Sequence, residues 1–308
     1  MCVGAFDGVH PGHRALLARV RERAAALRLL PLAISFEPLP REFFARGAAL
    51  PRLTSVREKL AGLFDGGMQC VLLLRFNKAL AAIEPEQFID QVLVARCAAQ
   101  EVWIGADFRF GHRRRGDIAM LRAAGARHGF RVEVLPDVGI DSERVSSSAI
   151  RARLAAGEFA QAARLLGRPF TIGGRVVRGA RLGRTLGWPT ANLRLGRRSA
   201  PVAGIFAVRV HGLAGAGADG WPGVASLGVR PTVAGNGEAL LEVHLFDFDG
   251  DLYGRRIEVE FVARLRDEVK FDDLDTMVGQ IERDAAQARA ILGVPALPED
   301  AGSRLAPG

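Results

Sequence analysis

Lysine is nearly missing from this chain: of 42 basic residues only Lys59, Lys78 and Lys270 are lysine, and the rest are arginine. Tyrosine occurs once, aromatics reach 7%, and there are three cysteines. No apolar run reaches the ~18 residues that span a bilayer, and no basic-then-apolar leader opens the chain. These shortages exclude whole classes of function. Cys2, Cys70 and Cys97 lie far apart in sequence and form neither a disulfide framework nor a metal-ligand spacing, so a reducing cytoplasm is the expected location. Scarce aromatics leave little to stack nucleobases. The net charge of +8 is arginine mixed with acids, as in Arg19-Val20-Arg21-Glu22-Arg23. The densest run, Arg113-Arg114-Arg115, is too short to follow a duplex backbone. Neither nucleic acid nor membrane is an expected partner.

What is present suits two globular domains: 308 residues, 49% hydrophobic and 25% charged. The first half alternates strands with helices. Strands are expected at Met1–Ala5, Leu32–Phe36, Cys70–Leu74, Val102–Gly105 and Val132–Leu135. Helices are expected at Pro11–Leu29, from Ser55 to Phe64 with Glu58 completing a capping box, near Pro85, and over Ile118–His128. Such alternation predicts a doubly wound parallel sheet with helices on both faces, and ligands at the carboxyl ends of its strands. Ala149–Leu166 reads as one helix, stopped by Pro169. Strands then take over: Thr171–Arg178, Gly204–His211, Gly223–Gly228, Leu240–Phe246 and Arg256–Leu265, separated by glycine-rich turns. They predict a small antiparallel β-barrel, followed by an amphipathic helix, Asp273–Leu292. The expected division is therefore 1–166, α/β, then 167–293, β, with 294–308 a disordered tail.

Two stretches carry chemistry. The first, Gly4-Ala5-Phe6-Asp7-Gly8-Val9-His10-Pro11-Gly12-His13, joins the first strand to the first helix. Its glycines let the backbone approach a ligand. The helix N-terminus supplies free N–H groups and partial positive charge. His10 and His13 project from the same side of that turn, can donate hydrogen bonds to phosphate and can carry charge beside it. Zinc is the alternative for such a pair, but no third or fourth ligand is evident. The second stretch runs from Gly173 to Asn192 and ends Gly187-Trp188-Pro189-Thr190-Ala191-Asn192. Its glycines would let a flap close over phosphates, its arginines would meet their charge, and Thr190 and Asn192 offer neutral oxygens suited to Mg²⁺. A glycine-rich hairpin with a polar turn explains the same residues equally well. Further on, Leu241, Val243 and Leu245 alternate with Glu242 and His244, so Glu242 points away from the apolar stripe; on this pattern alone it reads as a surface glutamate, and His244 as structural.

The His10-Pro11-Gly12-His13 turn after a first strand resembles the nucleotidylyltransferase superfamily. One branch fits further: Phe36-Glu37-Pro38-Leu39-Pro40-Arg41-Glu42-Phe43-Phe44, Arg52-Leu53-Thr54, Gly105 through Gly111, and Val145-Ser146-Ser147-Ser148-Ala149-Ile150-Arg151 are similar to motifs of the adenylyltransferase half of bacterial bifunctional riboflavin kinase/FAD synthetases. The second stretch resembles the Gly-Phe-Pro-Thr-Ala-Asn motif of riboflavin kinase, with Trp188 for the phenylalanine. Leu227–Val233, Leu241–Asp247, Leu252-Tyr253-Gly254 and Leu265–Phe271 continue the match.

This resemblance implies a bifunctional transferase. The barrel would phosphorylate riboflavin to FMN with ATP and Mg²⁺; the N-terminal domain would adenylylate FMN to FAD and release pyrophosphate. It implies His10 and His13 at the α-phosphate, Gly4, Phe6, Asp7, Gly12, Ser147, Ser148 and Arg151 around the ATP of the adenylyltransferase, and Pro38, Pro40 and Asp107 on its flavin side. In the kinase it implies Gly179, Gly183, Arg184 and Pro189 for ATP, Thr190 and Asn192 for the metal, Arg266 and Asp267 for the flavin with Phe271 nearby, and Glu242 as the base for the ribityl hydroxyl. Family members carry more than a dozen residues before the first turn, whereas Met1 here falls inside the first strand. The alternative expectation is therefore a kinase-only enzyme whose N-terminal activity is lost with the shortened strand.

Overall fold

The computed structural model describes residues 1–45, 50–179, 187–195, 199–229 and 239–295, without the side chain of Val229. It divides into two compact units, Met1–Ile150 with Leu165–Gly167, and Arg151–Arg164 with Arg168–Gly308.

The first unit follows the expected alternation: β1 (Cys2–Val3), α1 (Pro11–Leu27), β2 (Leu32–Glu37), α2 (Pro40–Phe44), α3 (Val56–Asp65), β3 (Cys70–Arg75), α4 (Lys78–Ala81), α5 (Pro85–Phe88) running into a π-helical segment Ile89–Arg96, β4 (Glu101–Gly105), α6 (Ile118–His128) and β5 (Arg131–Leu135). A hairpin of β6 (Gly139–Ile140) and β7 (Glu143–Arg144) precedes α7 (Ser147–Ala155). The sheet is parallel, in the order β3-β2-β1-β4-β5. The order reverses on either side of β1, which opens a crevice beyond its carboxyl end. Side-chain alternation sends neighbouring strand residues to opposite faces. Cys2 and Ala33 pack with Leu16, Leu17 and Val20 of α1 and Leu63 of α3; Val3, Ile34 and Ile104 pack with Ile89, Leu93 and Leu121. Helices thus cover both faces, as a doubly wound sheet requires.

Local signals set the helix ends. Ser55 and Glu58 form the capping box at α3, Ser55 Oγ accepting from Glu58 N at 3.3 Å and Glu58 Oε2 accepting from Ser55 N at 2.6 Å. β1 is shorter than Met1–Ala5, because the chain turns away after Gly4. Its two residues still pair with Ala33 and Ile34 of β2, and Cys2 with Trp103 of β4. The Met1 amino group donates to the Glu101 carbonyl at 2.7 Å.

The expected helix Ala149–Leu166 is two helices, α7 and α8 (Phe159–Leu166). Gly157, at φ +77°, takes the left-handed conformation that only glycine adopts without strain, and breaks the run.

The second unit is a closed antiparallel barrel in the order β10-β11-β12-β9-β8-β13. Its strands are β8 (Thr171–Val177), β9 (Ala191–Arg194), β10 (Gly204–His211), β11 (Trp221–Val229), β12 (Ala239–Leu245) and β13 (Arg256–Arg266). Phe206, Val208, Leu193, Leu241, Val243, Val259 and Phe261 are buried. The closing helix α9 (Leu274–Leu292) is capped by Asp273, whose Oδ1 accepts from Thr276 N at 2.7 Å. Its Ala285, Ala288 and Leu292 pack on Ala207, Val224 and Phe246. Gly183, Arg184, the stretch 230–233 and the tail past Pro295 lie outside the described residues.

Candidate active sites

In the first unit the candidate site grows from the turn that leaves β1. Phe6 (φ 52°), Gly8 (φ 87°) and Val9 (φ 43°) all take positive φ, which coils the chain sharply before α1. Pro11 opens the helix, and His10 caps it, its Nδ1 accepting from His13 N at 3.4 Å. The two imidazoles stack, centroids 3.7 Å apart and planes 19° from parallel. The Phe6 ring meets His13 edge-on at 5.1 Å. A side chain at Gly12 would come 3.3 Å from the His10 ring, a tight contact that glycine avoids. Gly8, Val9 and His10 are buried, while Pro11, Gly12 and His13 are half-buried. Burial, with His10 adding to it, holds the His13 pKa well below the usual histidine value. His13 Nδ1 is buried and has no hydrogen-bond partner among the described residues. A helix N-terminus flanked by two imidazoles suits an anionic ligand that brings its own oxygens.

Asp7 faces Leu53 and Thr54. Its carboxylate is buried and accepts from Leu53 N at 3.1 Å, Thr54 N at 2.9 Å and Thr54 Oγ1 at 2.9 Å. Thr54 Oγ1 in turn accepts from Gly8 N at 3.0 Å. The Asp7 carbonyl accepts from Ser147 Oγ at 2.9 Å, which fixes the start of α7 beside the turn. Ser146 caps α7, its Oγ accepting from Ala149 N at 3.1 Å, and Ser148 Oγ accepts from Arg41 Nη1 at 3.2 Å. Arg151 follows on the same helix, half-buried, as the first residue of the second unit. Gly4 stays in the sheet, its N–H donating to the Ile34 carbonyl at 3.0 Å, and lies against the Phe6 ring. Pro38 follows β2 and Pro40 opens α2, at the same end of the sheet. Asp107 is exposed beyond β4 and pairs with Arg144 at 3.1 Å; Arg144 also pairs with Asp137 at 2.9 Å. The sequence reading gave no part to Thr54 or Arg41. The Arg52-Leu53-Thr54 motif was the available signal, but not which way its atoms face.

The second candidate site lies on the outer face of the barrel. Asn192 was read as part of a turn; it sits inside β9, where it pairs with Val177 on one side and Glu242 on the other. Paired residues of antiparallel strands send their side chains to one face, so Asn192 and Glu242 stand side by side, the first buried and the second half-buried. The next strand adds Ser226 opposite Glu242. Ser226 Oγ donates to Glu268 Oε1 at 2.7 Å, which brings a second carboxylate to the row; Gly228 leaves it room, since a Cβ there would strike the Glu268 carboxylate. The Asn192 amide lies against Gly179, where a Cβ would stand 2.5 Å from Nδ2 and 2.8 Å from Oδ1.

Pro189 is held by His244, whose Nδ1 donates to its carbonyl at 2.9 Å. Burial lowers the His244 pKa, and its ring packs edge-on against Trp188 at 4.9 Å, so His244 supports the turn before β9. Thr190 is half-buried. Its hydroxyl and the Asn192 amide fit a hard cation that shares donors with phosphates; among the described residues no three His, Cys, Asp or Glu side chains gather as a metal cage. Arg266 shares the row through Ile205, three strands from Glu242 around the barrel. Its guanidinium grips the buried Asp284 of α9 at 2.7–3.1 Å and lies 5.8 Å from the Phe271 ring. Asp267 pairs with Arg264.

The comparisons with known proteins cover both sites. A family model described as FAD synthetase matches residues 1–149, and one described as riboflavin kinase matches residues 166–292. The bifunctional riboflavin kinase/FMN adenylyltransferase of Pseudomonas fluorescens is 48% identical over 291 residues, 94% of this chain and 91% of that protein. The protein of that name from Escherichia coli K12 is 45% identical over 294 residues, 96% of this chain and 93% of that protein. A crystal structure named as a macrolide-efflux protein from Streptococcus pneumoniae is similar with a TM-score of 0.73 at 30% identity, covering 92% of this chain and 91% of its own. Among the described residues no helix is long and apolar enough to cross a membrane.

Proposed function

Because this chain belongs to the family of bifunctional riboflavin kinase/FMN adenylyltransferases, we propose how its residues divide two successive reactions. The barrel phosphorylates riboflavin to FMN, and the N-terminal unit adenylylates FMN to FAD.

In the barrel, Glu242 accepts the proton of the terminal ribityl hydroxyl as its oxygen attacks the γ-phosphorus of ATP, and ADP leaves. Asn192, opposite Glu242 in the ladder, and Thr190 would hold Mg²⁺ with the nucleotide, where it would draw charge from the phosphate oxygens. Gly179 leaves room for the Asn192 amide, and His244 fixes Pro189 ahead of it. The pairing of Asn192 with Glu242 is the observation that carries the kinase reading.

In the N-terminal unit, an FMN phosphate oxygen attacks the α-phosphorus of ATP; a phosphoanhydride bond forms, another breaks, and pyrophosphate leaves. No side chain becomes covalently attached. Catalysis is positioning and electrostatic stabilisation. The α1 N-terminus, His10 and His13 face the charge that builds on the α-phosphate. Ser147, Ser148 and Arg151 serve the β- and γ-phosphates; Pro38, Pro40 and Asp107 serve the flavin. The stacked histidines at the start of α1 support this. Free cysteines and the need for ATP support a cytoplasmic setting.

The test is direct. Purified protein incubated with riboflavin and MgATP yields FMN and then FAD, separated by chromatography. FMN without FAD would mark a kinase-only enzyme, and no phosphorylated flavin at all would end the reading.

A further inference from the structure

Four charged side chains meet beside Pro38 and Pro40, and the reactions above use none of them. Arg52 and Lys59 are buried. Arg52 forks onto Glu37, Nη1 to Oε2 at 3.1 Å and Nη2 to Oε1 at 2.7 Å, and reaches Glu42 Oε2 through Nε at 3.0 Å and through Nη2. Glu42 Oε2 also accepts from Leu39 N at 3.3 Å. Lys59 Nζ donates to the Phe36 carbonyl at 2.8 Å and stands 3.6 Å from Glu37. One guanidinium therefore holds both the end of β2 and the side chain that caps α2. The two residues after Arg52 hold the other partner: Leu53 and Thr54 donate to Asp7, and Gly8 donates to Thr54. The stretch 52–54 is a brace with the proline segment on one side and the histidine turn on the other.

Burying such ions costs several kcal/mol each before their attraction offsets it, and apolar side chains would fasten α2 without that cost. What a forked guanidinium adds is orientation: its donors fix two carboxylates in one plane. We propose that Arg52 is a positioning residue for adenylyl transfer, which sets the flavin-side segment 37–42 against the phosphate turn so that FMN and ATP meet one shared frame and each strengthens the other's binding. The proposal rests on Pro38 and Pro40 lying on the flavin side of the N-terminal site.

The test compares full-length wild type with Arg52→Lys, which keeps the charge and loses the fork, and with Glu42→Gln, which keeps an acceptor for Leu39 and loses the ion pair. Initial rates of FAD formation are measured with FMN and ATP both varied, with FMN formation as the control on the other unit. In wild type the KM for FMN falls as ATP approaches saturation, within the ~5–150-fold range of such couplings. Arg52→Lys loses that fall and raises the KM for FMN about tenfold at saturating ATP, with FMN formation unchanged; Glu42→Gln moves the same way by less. A purely structural role would lower the melting temperature and the amount of active enzyme but leave the coupling intact, and that result overturns the proposal. Unaltered kinetics in both variants overturn it as well. A wild type that makes no FAD contradicts the reading of the site and the inference with it; a wild type that makes FAD beside an unaltered Arg52→Lys contradicts the inference alone.

Discussion

Gly179→Ala puts one methyl group where the barrel site has no room. The new Cβ would stand 2.5 Å from Asn192 Nδ2, 2.7 Å from its Cγ and 2.8 Å from its Oδ1, whereas ordinary contact begins near 3.4 Å. The amide must withdraw by about 0.9 Å, turning about its own side-chain torsions while pairing with Val177 and Glu242 holds the backbone of β9 in place. A displacement of ~1 Å in a group that positions reactants costs on the order of 10²-fold in rate, equivalent to about 2.7 kcal/mol of transition-state stabilisation. The assay is riboflavin phosphorylation at saturating ATP and Mg²⁺, read as FMN by chromatography. FAD formation from supplied FMN, whose candidate residues begin in the other unit, is the internal control. The expected result is a roughly hundredfold fall in kcat for FMN formation with FAD formation unchanged. Kinase activity within twofold of wild type, in a variant that melts as wild type does, would refute the placement of Asn192 in the site.

Two further outcomes follow from the first unit. His13 takes up its proton near pH 6.5 when unfolded and well below that when folded, because burial and then His10 oppose its charge. Between those values the unfolded chain binds more protons, so this contribution is complete above about pH 6.5 and is lost as pH falls below it. His13→Asn should remove that part of the loss in thermal melts between pH 7.5 and 5; an identical pH dependence in the variant would contradict it. Asp7→Asn replaces one acceptor oxygen by a donor facing the amides of Leu53 and Thr54. A buried mismatch of this kind costs about 1–3 kcal/mol, and denaturant titration should find the loss in the N-terminal unit, while an unshifted transition would show that the carboxylate is dispensable there.

Periodicity and caps made much of the fold legible. The α6 boundaries, Ile118–His128, are those read from the sequence, because Asp117 caps one end and Gly129 closes the other at φ +81°. The Ser55–Glu58 box was readable for the same local reason. β9 was missed: its four residues offer little β-branched pattern, and what makes them a strand is pairing with Glu242, some fifty positions away in sequence. The break at Gly157 did have a local signal, a glycine inside an alanine-rich run, which helix propensity outweighed. The histidine turn was legible because strand, glycines, proline and helix start are contiguous. Where the Asp7 and Arg266 side chains point was not. Their partners, Leu53 and Thr54 for one and Asp284 for the other, are distant in the chain, and only the folded geometry selects them.

Glu242 and His13 belong to different units, and the proposed function gives each a separate reaction. The most direct measurement assays FMN formation from riboflavin and FAD formation from FMN in wild type, Glu242→Gln and His13→Ala. Loss of the general base should lower the first rate by ~10²–10⁴-fold and leave the second, and loss of the imidazole should do the reverse. Equal damage to both rates by either substitution, in protein that remains folded, would contradict the account.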